Sequence, residues 1–274
     1  MAFQGELGAF SEEAARQLLG PSVDLHPRPR FEDVFTALAK GAVDHAVIPI
    51  ENTLAGSVHE NYDHLLRFKL PIVAETKVRI VHNLIARPGV RFSELRRAYS
   101  HPVALGQCRR FFARYPQIRS ETYYDTAGSV KMLMEQAPEG AAAIASAAAA
   151  EVYGAHILRR SIEDDRRNFT RFFLLDRRVP ARPPALRGGA LKTSIVFTTR
   201  NLPGALFRCL SAFALRDINL NKIESRPLRG KPWEYLFYLD FLGSPGEERC
   251  RHALHHLAEL TDLLQVLGCY RRGV

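Results

Sequence analysis

HAVIPIENTLAGS, residues 45–57, is the stretch that decides the fold. An apolar run, His45–Ile50, breaks into Glu51, Asn52 and Thr53, then Gly56 and Ser57. A segment carrying Val58, Tyr62 and Leu65 at helical spacing follows. A strand that runs through a polar turn into a helix is the repeating piece of an α/β protein. Ligands of open α/β sheets lie beyond the carboxyl ends of the strands, where this turn falls. Two readings of the turn stand side by side. It is a polar binding wall, or Asn52, Thr53 or Ser57 simply caps the helix.

The same rhythm extends in both directions. Upstream, Ala2–Gln4 reads as a short strand ending at Gly5. Ser11 is the expected N-cap of a helix reaching Leu19, with Glu12 and Glu13 in its positive first turn. Gly5-x-x-Gly8 is half of a phosphate-loop pattern and reads as a strand-to-helix turn whose N–H groups can receive a carboxylate. Phe31, Val34, Phe35 and Leu38 repeat at i, i+3, i+4, i+7, and Gly41 follows as a C′ residue. Downstream, residues 72–85 read as one extended connection. Strands are expected near 98–100, 142–145 and 171–175, with helices at 103–113, 126–135 and 146–153. The alternation predicts α/β lobes with largely parallel sheets.

Beyond Arg177 the composition changes. Pro180, Pro183, Pro184, Gly188 and Gly189 mark residues 179–189 as a linker. After it come a strand (193–198), a helix (204–214), strands at 219–225 and 234–241, a helix (247–257) and a last strand (263–270). The stretch Pro227–Pro232 is expected as a hairpin loop. The order βαββαβ is the ferredoxin-like arrangement.

The chain has 274 residues, 46% hydrophobic and 24% charged, which suits two globular domains. No apolar run is long enough for a membrane span. MAFQGELGAF has no basic start and sets Glu6 where a secretion signal is apolar. The four cysteines (Cys108, Cys209, Cys250 and Cys269) are irregularly spaced and suit reduced thiols and a cytoplasmic location. The formal charge is +9, but the arginines are dispersed in pairs with no basic run interleaved with aromatics. An Arg-rich surface is preferred to a nucleic-acid partner, and a positive field also suits an anionic substrate. Cys250, His252, His255 and His256 have metal-ligand types, but a helix scatters them, so no metal site is expected. Asn168-Phe169-Thr170-Arg171-Phe172 repeats the logic of the opening stretch. A charged loop, Glu163–Arg167, enters a strand at Thr170, which is otherwise an ordinary strand threonine.

Together these segments resemble prephenate dehydratase. The resemblance rests on Gly5–Ser11, Pro49–Ser57 with Asn61-Tyr62-Asp63, His82-Asn83-Leu84, and Ser100-His101-Pro102 through Gln107-Cys108. It rests also on Asp125–Ser129, Ala143–Ser146 and the Thr170-Arg171-Phe172 triplet. The C-terminal part resembles an ACT regulatory domain of the phenylalanine-binding kind, through Gly204-Ala205-Leu206 and Glu224-Ser225-Arg226-Pro227. Phe207 stands where that family often has Val, which is expected to alter packing more than binding.

The resemblance implies an α/β, two-lobed catalytic domain folded like type II periplasmic binding proteins, residues 1–178. Lobe 1 is about 1–76 and 160–178, and lobe 2 about 77–159. The linker 179–189 and a ferredoxin-like βαββαβ ACT domain at 190–274 follow. The form implied is monofunctional, without preceding mutase helices. The activity implied is the decarboxylating dehydration of prephenate to phenylpyruvate, without metal or other cofactor. Feedback by phenylalanine would act through a homodimer or homotetramer joined by ACT domains, with no nucleic-acid or membrane partner. Thr170 is implied as the donor to the departing hydroxyl. Arg171 is a candidate carboxylate clamp, although strand alternation turns neighbouring side chains to opposite faces. Asn168, Glu51, Asn52 and Ser57 complete the catalytic set. Thr53, Gly56, Ser11, Ser100, Gln107 and Phe172 are expected at the substrate. Gly204, Ala205, Leu206, Asn219, Leu220, Glu224, Ser225, Arg226 and Pro227 are expected at the effector. Two alternatives are arogenate dehydratase and a non-catalytic ligand-binding regulator.

Overall fold

The computed structural model describes residues 1–179, 190–199, 201–228 and 234–273. Nearly all of the linker 179–189 and most of the loop beyond Pro227 therefore lie outside the described residues. The first part of the chain runs β1 (Ala2–Gln4), α1 (Phe10–Leu19), β2 (His26–Arg28), α2 (Phe31–Ala39), β3 (His45–Asn52), β4 (Gly56–Ser57), α3 (His59–Phe68) and β5 (Ile72–Arg79). Next come β6 (Asn83–Ala86), β7 (Arg97–Ser100), α4 (Pro102–Gly106), α5 (Arg109–Arg114), β8 (Arg119–Thr122), α6 (Thr126–Gln136), β9 (Ala141–Ala145), α7 (Ala147–Val152) and β10 (His156–Arg159). Strand β11 (Phe169–Asp176) closes this region. The remainder is β12 (Leu191–Thr199), α8 (Ala205–Ala214), β13 (Leu220–Pro227), β14 (Tyr235–Leu242), α9 (Glu248–Leu260) and β15 (Leu264–Arg271).

Three sheets result. The first has the order β2-β1-β3-β11-β5, with β4 folded back on β3; the second is β10-β6-β9-β7-β8. The chain leaves the first sheet after Arg79, enters the second at Asn83, and returns between Arg159 and Phe169. Two crossings between two α/β sheets, with the returning strand inserted beside β3, make the two-lobed type II arrangement. The strand pairs are mixed rather than largely parallel. β1 pairs β2 and β3 in parallel, but β6 is antiparallel to both β9 and β10. The reason lies at residues 80–82, where the extended connection 72–85 breaks and β6 starts in a new sheet.

The third sheet, β13-β14-β12-β15, is antiparallel at every pair. With α8 and α9 on one face it is the ferredoxin-like βαββαβ fold. Ile195, Phe197, Phe237, Leu239 and Phe241 project to the helices and meet Phe213, Ala253 and Leu257. Each such fully buried large side chain contributes about 1.5–3 kcal/mol. Phe207 is 76% exposed, so the expected change of packing at that position is not seen within the chain.

The chain divides into two compact units. One holds Met1–Ala37, Ala46–His59 and Thr76–Phe172; the other holds Leu38–His45, Glu60–Glu75 and Phe173–Val274. Most of α3 and the first half of β5 thus pack with the C-terminal sheet. Within that second unit Tyr238 donates from its hydroxyl to the Tyr62 carbonyl at 2.9 Å, and the two rings lie 4.6 Å apart. Arg226 pairs with Asp63 at 3.1 Å. Lys192 pairs with Glu75 at 2.7 Å, with both side chains buried.

Two local departures bear on the site. The helix begins at Phe10 with Ala9 as N-cap and no side-chain cap, so Ser11 sits inside the first turn. The single helix expected over 103–113 is two, α4 and α5, because Asp164 accepts the N–H groups of Arg109 and Arg110 at 2.9 Å each and starts a new helix there. Gln107 is left at the C-terminal cap of α4, where it faces the cleft.

Candidate active site

A cleft of about 450 Å³ opens within the first compact unit. Its floor is the carboxyl end of β3 and the start of β11. Asn52 and Thr170 line it, joined by Gly56 and Ser57 of β4. Asn52 is held by backbone. Its Oδ1 accepts from the N–H groups of Leu54 (3.0 Å) and Ala55 (2.8 Å). Asn52 therefore faces the cleft and closes its own turn; it is not the N-cap of the helix, since α3 begins only at His59.

Backbone donors settle the orientation of a whole chain of amides. With Oδ1 committed to two N–H groups, Asn52 presents Nδ2 to Asn168 Oδ1 (2.7 Å), to the Phe169 carbonyl (3.1 Å) and to Thr170 Oγ1 (3.0 Å). Asn168 then turns its own Nδ2 to Gln107 Oε1 at 2.8 Å. Gln107 Nε2 returns to Asn52 Oδ1 at 3.3 Å, closing a ring of three amides. An amide nitrogen only donates and an amide oxygen only accepts, so no member can be reversed alone. The consequence falls on Thr170. Its oxygen accepts from Asn52, which leaves its proton to donate.

Apart from the Asp125 carboxyl and the histidines His82 and His101, the walls are apolar or neutral: Phe10, Phe31, Pro49, Val58, Ile80, Val103 and Phe172 lie among Ser11, Gln107 and Thr126. No lysine or arginine lines the cleft among the described residues, despite a chain charge of +9. Three helix starts face it instead, at Phe10–Ser11, at Val103–Ala104 and at Asp125–Thr126. Helix N-termini present N–H groups and a partial positive charge to an anion. Of the titratable groups present, burial lowers His82 and His101 below the usual histidine range. Burial also raises Asp125, against the N–H of Gly128, which its carboxylate accepts at 2.7 Å. Burial and the Glu6 carboxylate beside it raise Tyr124, whose hydroxyl donates to Glu6 at 2.9 Å.

Of the expected substrate and catalytic residues, the cleft brings together Ser11, Asn52, Gly56, Ser57, Gln107, Thr170 and Phe172. Asn168 is fully buried behind them in the amide ring. Four others are placed elsewhere. Arg171 alternates away from Thr170 and pairs with Glu51 at 3.0 Å, so neither lines the cleft. Thr53 is a strut: its hydroxyl donates to the Arg167 carbonyl (2.8 Å) and accepts from the Phe169 N–H (2.9 Å). Ser100 is fully buried and donates to the Ile144 carbonyl at 2.6 Å, inside the second sheet. Sequence reasoning did not single out His82, His101, Tyr124 or Asp125 as site residues. The usable signal was position: His101 directly follows β7, and Asp125 is the N-cap of α6, three residues beyond the end of β8.

Gly8 shows how closely the walls approach. Its φ is +82°, and a Cβ there would meet Ala149 Cα at 2.5 Å. Ser146, the N-cap of α7, donates to the Gly8 carbonyl at 2.5 Å.

The expected effector residues lie in the ferredoxin-like fold. Gly204 takes the left-handed conformation at the start of α8, ahead of Ala205 and Leu206. Asn219 precedes β13 and Leu220 opens it, packing on the core. Glu224, Ser225, Arg226 and Pro227 end β13, the edge strand of its sheet.

A two-lobed α/β fold with a cleft lined by hydroxyls, amides and helix starts defines a class: two-lobed α/β proteins with a ligand-sized cleft between the lobes. Comparison with known proteins narrows it. The sequence model of the prephenate dehydratase family matches residues 1–180, and the chain belongs to that family. An arogenate dehydratase/prephenate dehydratase of Arabidopsis thaliana chloroplasts is 45% identical over 281 residues, covering 98% of this chain and 72% of that protein. The solved prephenate dehydratase of Arthrobacter aurescens, in complex with L-Phe, is 34% identical with a TM-score of 0.89 over 99% of this chain and 89% of that one. A solved protein described as a novel type of quorum-quenching acylase, GqqA, is equally similar, at 34% identity and a TM-score of 0.89 over 98% of this chain and 97% of that one. The chain is thus a lyase of the dehydratase kind. No helix among the described residues is long and apolar enough to cross a membrane.

Proposed function

We propose that the chain converts prephenate to phenylpyruvate, water and carbon dioxide, with residues 1–178 as the catalytic part and 190–274 as the regulatory part. The single observation that carries the mechanism is the Asn52 Nδ2 to Thr170 Oγ1 hydrogen bond, which leaves the threonine proton free to donate. The ring carboxylate departs as carbon dioxide, and its bonding pair flows through the ring as the benzenoid system forms. The pair on the far carbon leaves with the hydroxyl, which takes up a proton and departs as water. Thr170 donates a hydrogen bond to that oxygen, in a site where burial strengthens it. A threonine hydroxyl is a weak acid, so it acts as an oriented donor or relay. The two carboxylates of the dianion are held by the helix starts and by Ser11, Ser57 and Thr126, without a basic side chain. Arg171 serves the strand ends rather than the substrate.

A second reading, dehydration of arogenate to phenylalanine, is favoured by the names of the plant relatives. Asp125 is the one carboxylate lining the cleft among the described residues, and it offers a partner to an ammonium group. The acylase likeness does not extend to the chemistry read here. Thr170 is read here as a hydrogen-bond donor to a departing oxygen and not as a nucleophile, which would need a base at its hydroxyl. Purified protein incubated with each substrate separates these readings. Release of phenylpyruvate or phenylalanine is expected, and the absence of both products sinks the proposal.

Regulation is proposed to follow phenylalanine binding at Gly204–Leu206 and Glu224–Pro227, with the edge strand β13 pairing to a second copy in a dimer or tetramer. Arg226 of that segment holds Asp63 on α3. The chain enters α3 directly from Ser57 and Val58 of the cleft wall, so a ligand that draws Arg226 away acts on the helix that continues that wall.

A further inference from the structure

His82 is the group the mechanism does not use. It lies between β5 and β6, 2% exposed, with its ring edge-on to Phe10 at 6.0 Å. One ring nitrogen, Nε2, is 2.9 Å from Gln107 Oε1. The other, Nδ1, is buried and has no hydrogen-bond partner among the described residues. The tautomer follows from the amide ring. Leu54 and Ala55 fix Asn52, Asn52 fixes Asn168, and Asn168 fixes Gln107 with Oε1 towards His82. An amide oxygen accepts only, so Nε2 carries the proton and Nδ1 is the bare nitrogen.

The backbone around this contact is fastened by the returning crossing. Ile162 N–H donates to the His82 carbonyl (2.8 Å), and the Glu163 carboxylate accepts the His82 N–H (3.0 Å). Asp164 N–H donates to the Gln107 carbonyl (2.7 Å). Three consecutive residues of one segment therefore set both partners at their spacing. Such a staple fits a need for accuracy in the Gln107 side chain, since Gln107 is the only member of the amide ring that comes from the second sheet's half of the unit.

Resting on the dehydratase reading above, the geometry points to His82 as a positioning residue for Thr170. Its Nε2–H pins Gln107 Oε1, Gln107 braces Asn52 and Asn168, and Asn52 sets the Thr170 hydroxyl. His82 transfers no proton and touches no substrate atom in this role. Its work is done in the neutral Nε2–H form.

The test uses the full chain with the substrate that wild type turns over. His82→Leu removes the donor, and His82→Gln keeps an N–H at similar reach. The expected result is a fall of about tenfold in kcat for His82→Leu, the size of one lost neutral hydrogen bond, with KM within about twofold. His82→Gln should recover most of that loss. In Gln107→Ala, adding His82→Leu should cost little further, because the two act through one contact. A purely structural histidine would lower thermal stability in both variants and leave kcat of the folded fraction unchanged, which overturns the assignment. So does a double variant whose losses multiply. A readout without turnover is the ¹⁵N spectrum of the histidine ring in the wild-type chain. A protonated Nε2 with a bare Nδ1 at about pH 7 supports the assignment; the opposite tautomer refutes it. Wild type that releases no product from either substrate refutes the dehydratase reading instead, and the ring spectrum still decides the tautomer.

Discussion

The cleft and the helix-free face of the C-terminal sheet, the face away from α8 and α9, handle charge in opposite ways. The cleft is to receive a dianion, yet lines itself with amides, hydroxyls and helix starts and keeps Arg171 turned to Glu51. The sheet face, within its own compact unit, is fastened by full charges: Lys192 to Glu75, and Arg226 to Asp63. The lesson concerns reorganisation. A long flexible cation near the reacting ring would have to be ordered anew as charge shifts from a carboxylate to a departing hydroxyl. Dipoles fixed in the backbone are already in place. An ion pair that holds two elements together has no such constraint and gains from its strength.

This contrast can be broken most decisively at Thr170. Thr170→Val keeps the shape and removes the donor, and is expected to lower kcat by about 10²–10⁴ while leaving affinity for an unreactive analogue nearly intact. Steady-state kinetics with calorimetric binding would show it. Lys192→Met attacks the other side. Glu75 is 5% exposed and would lose the Lys192 ammonium beside it, so a marked loss of stability, up to about 3–5 kcal/mol, is expected by urea denaturation. Arg171→Leu decides between clamp and strut. The strut reading expects a stability loss of about 1–3 kcal/mol, because Glu51 is one-third exposed, and a KM within about twofold. A KM raised a hundredfold would restore the clamp. Arg226→Met sharpens the regulatory half. The pair with Asp63 is about a quarter exposed, so less than about 1 kcal/mol of stability is at stake. The phenylalanine concentration for half-inhibition should nevertheless rise about tenfold, an inhibitor coupling of ordinary size.

The smallest effect expected is that of pH. Burial holds His82 below its ordinary range, so the unfolded chain takes up a proton first as pH falls. The stabilising contribution of the neutral ring is then present above about pH 6.5 and is lost progressively below it. Denaturation midpoints should fall more steeply as pH drops below about 6.5 for wild type than for His82→Gln.

Much of this was legible in the chain itself. The run His45–Ile50 into Asn52 placed both the strand and its polar turn, and the βαββαβ order of the C-terminal part follows from alternation and spacing. Thr170 and Asn52 could be named because motif and strand end coincide. What escaped was set by contacts between distant segments. The break between α4 and α5 depends on Asp164, more than fifty residues away. Ser100 follows the strand-end rule, but its hydroxyl answers the Ile144 carbonyl across the sheet. His82 stands in one of the segments that carry the resemblance, but its contacts with Gln107 and with residues 162–163 are set by distant parts of the chain.

The most direct test is a crystal structure of the chain with an unreactive dicarboxylate analogue that keeps the ring hydroxyl. That hydroxyl oxygen should sit at hydrogen-bond distance from Thr170 Oγ1, with both carboxylates on N–H and O–H groups. An analogue carboxylate seated on Arg171, or a ring hydroxyl remote from residue 170, would contradict the account.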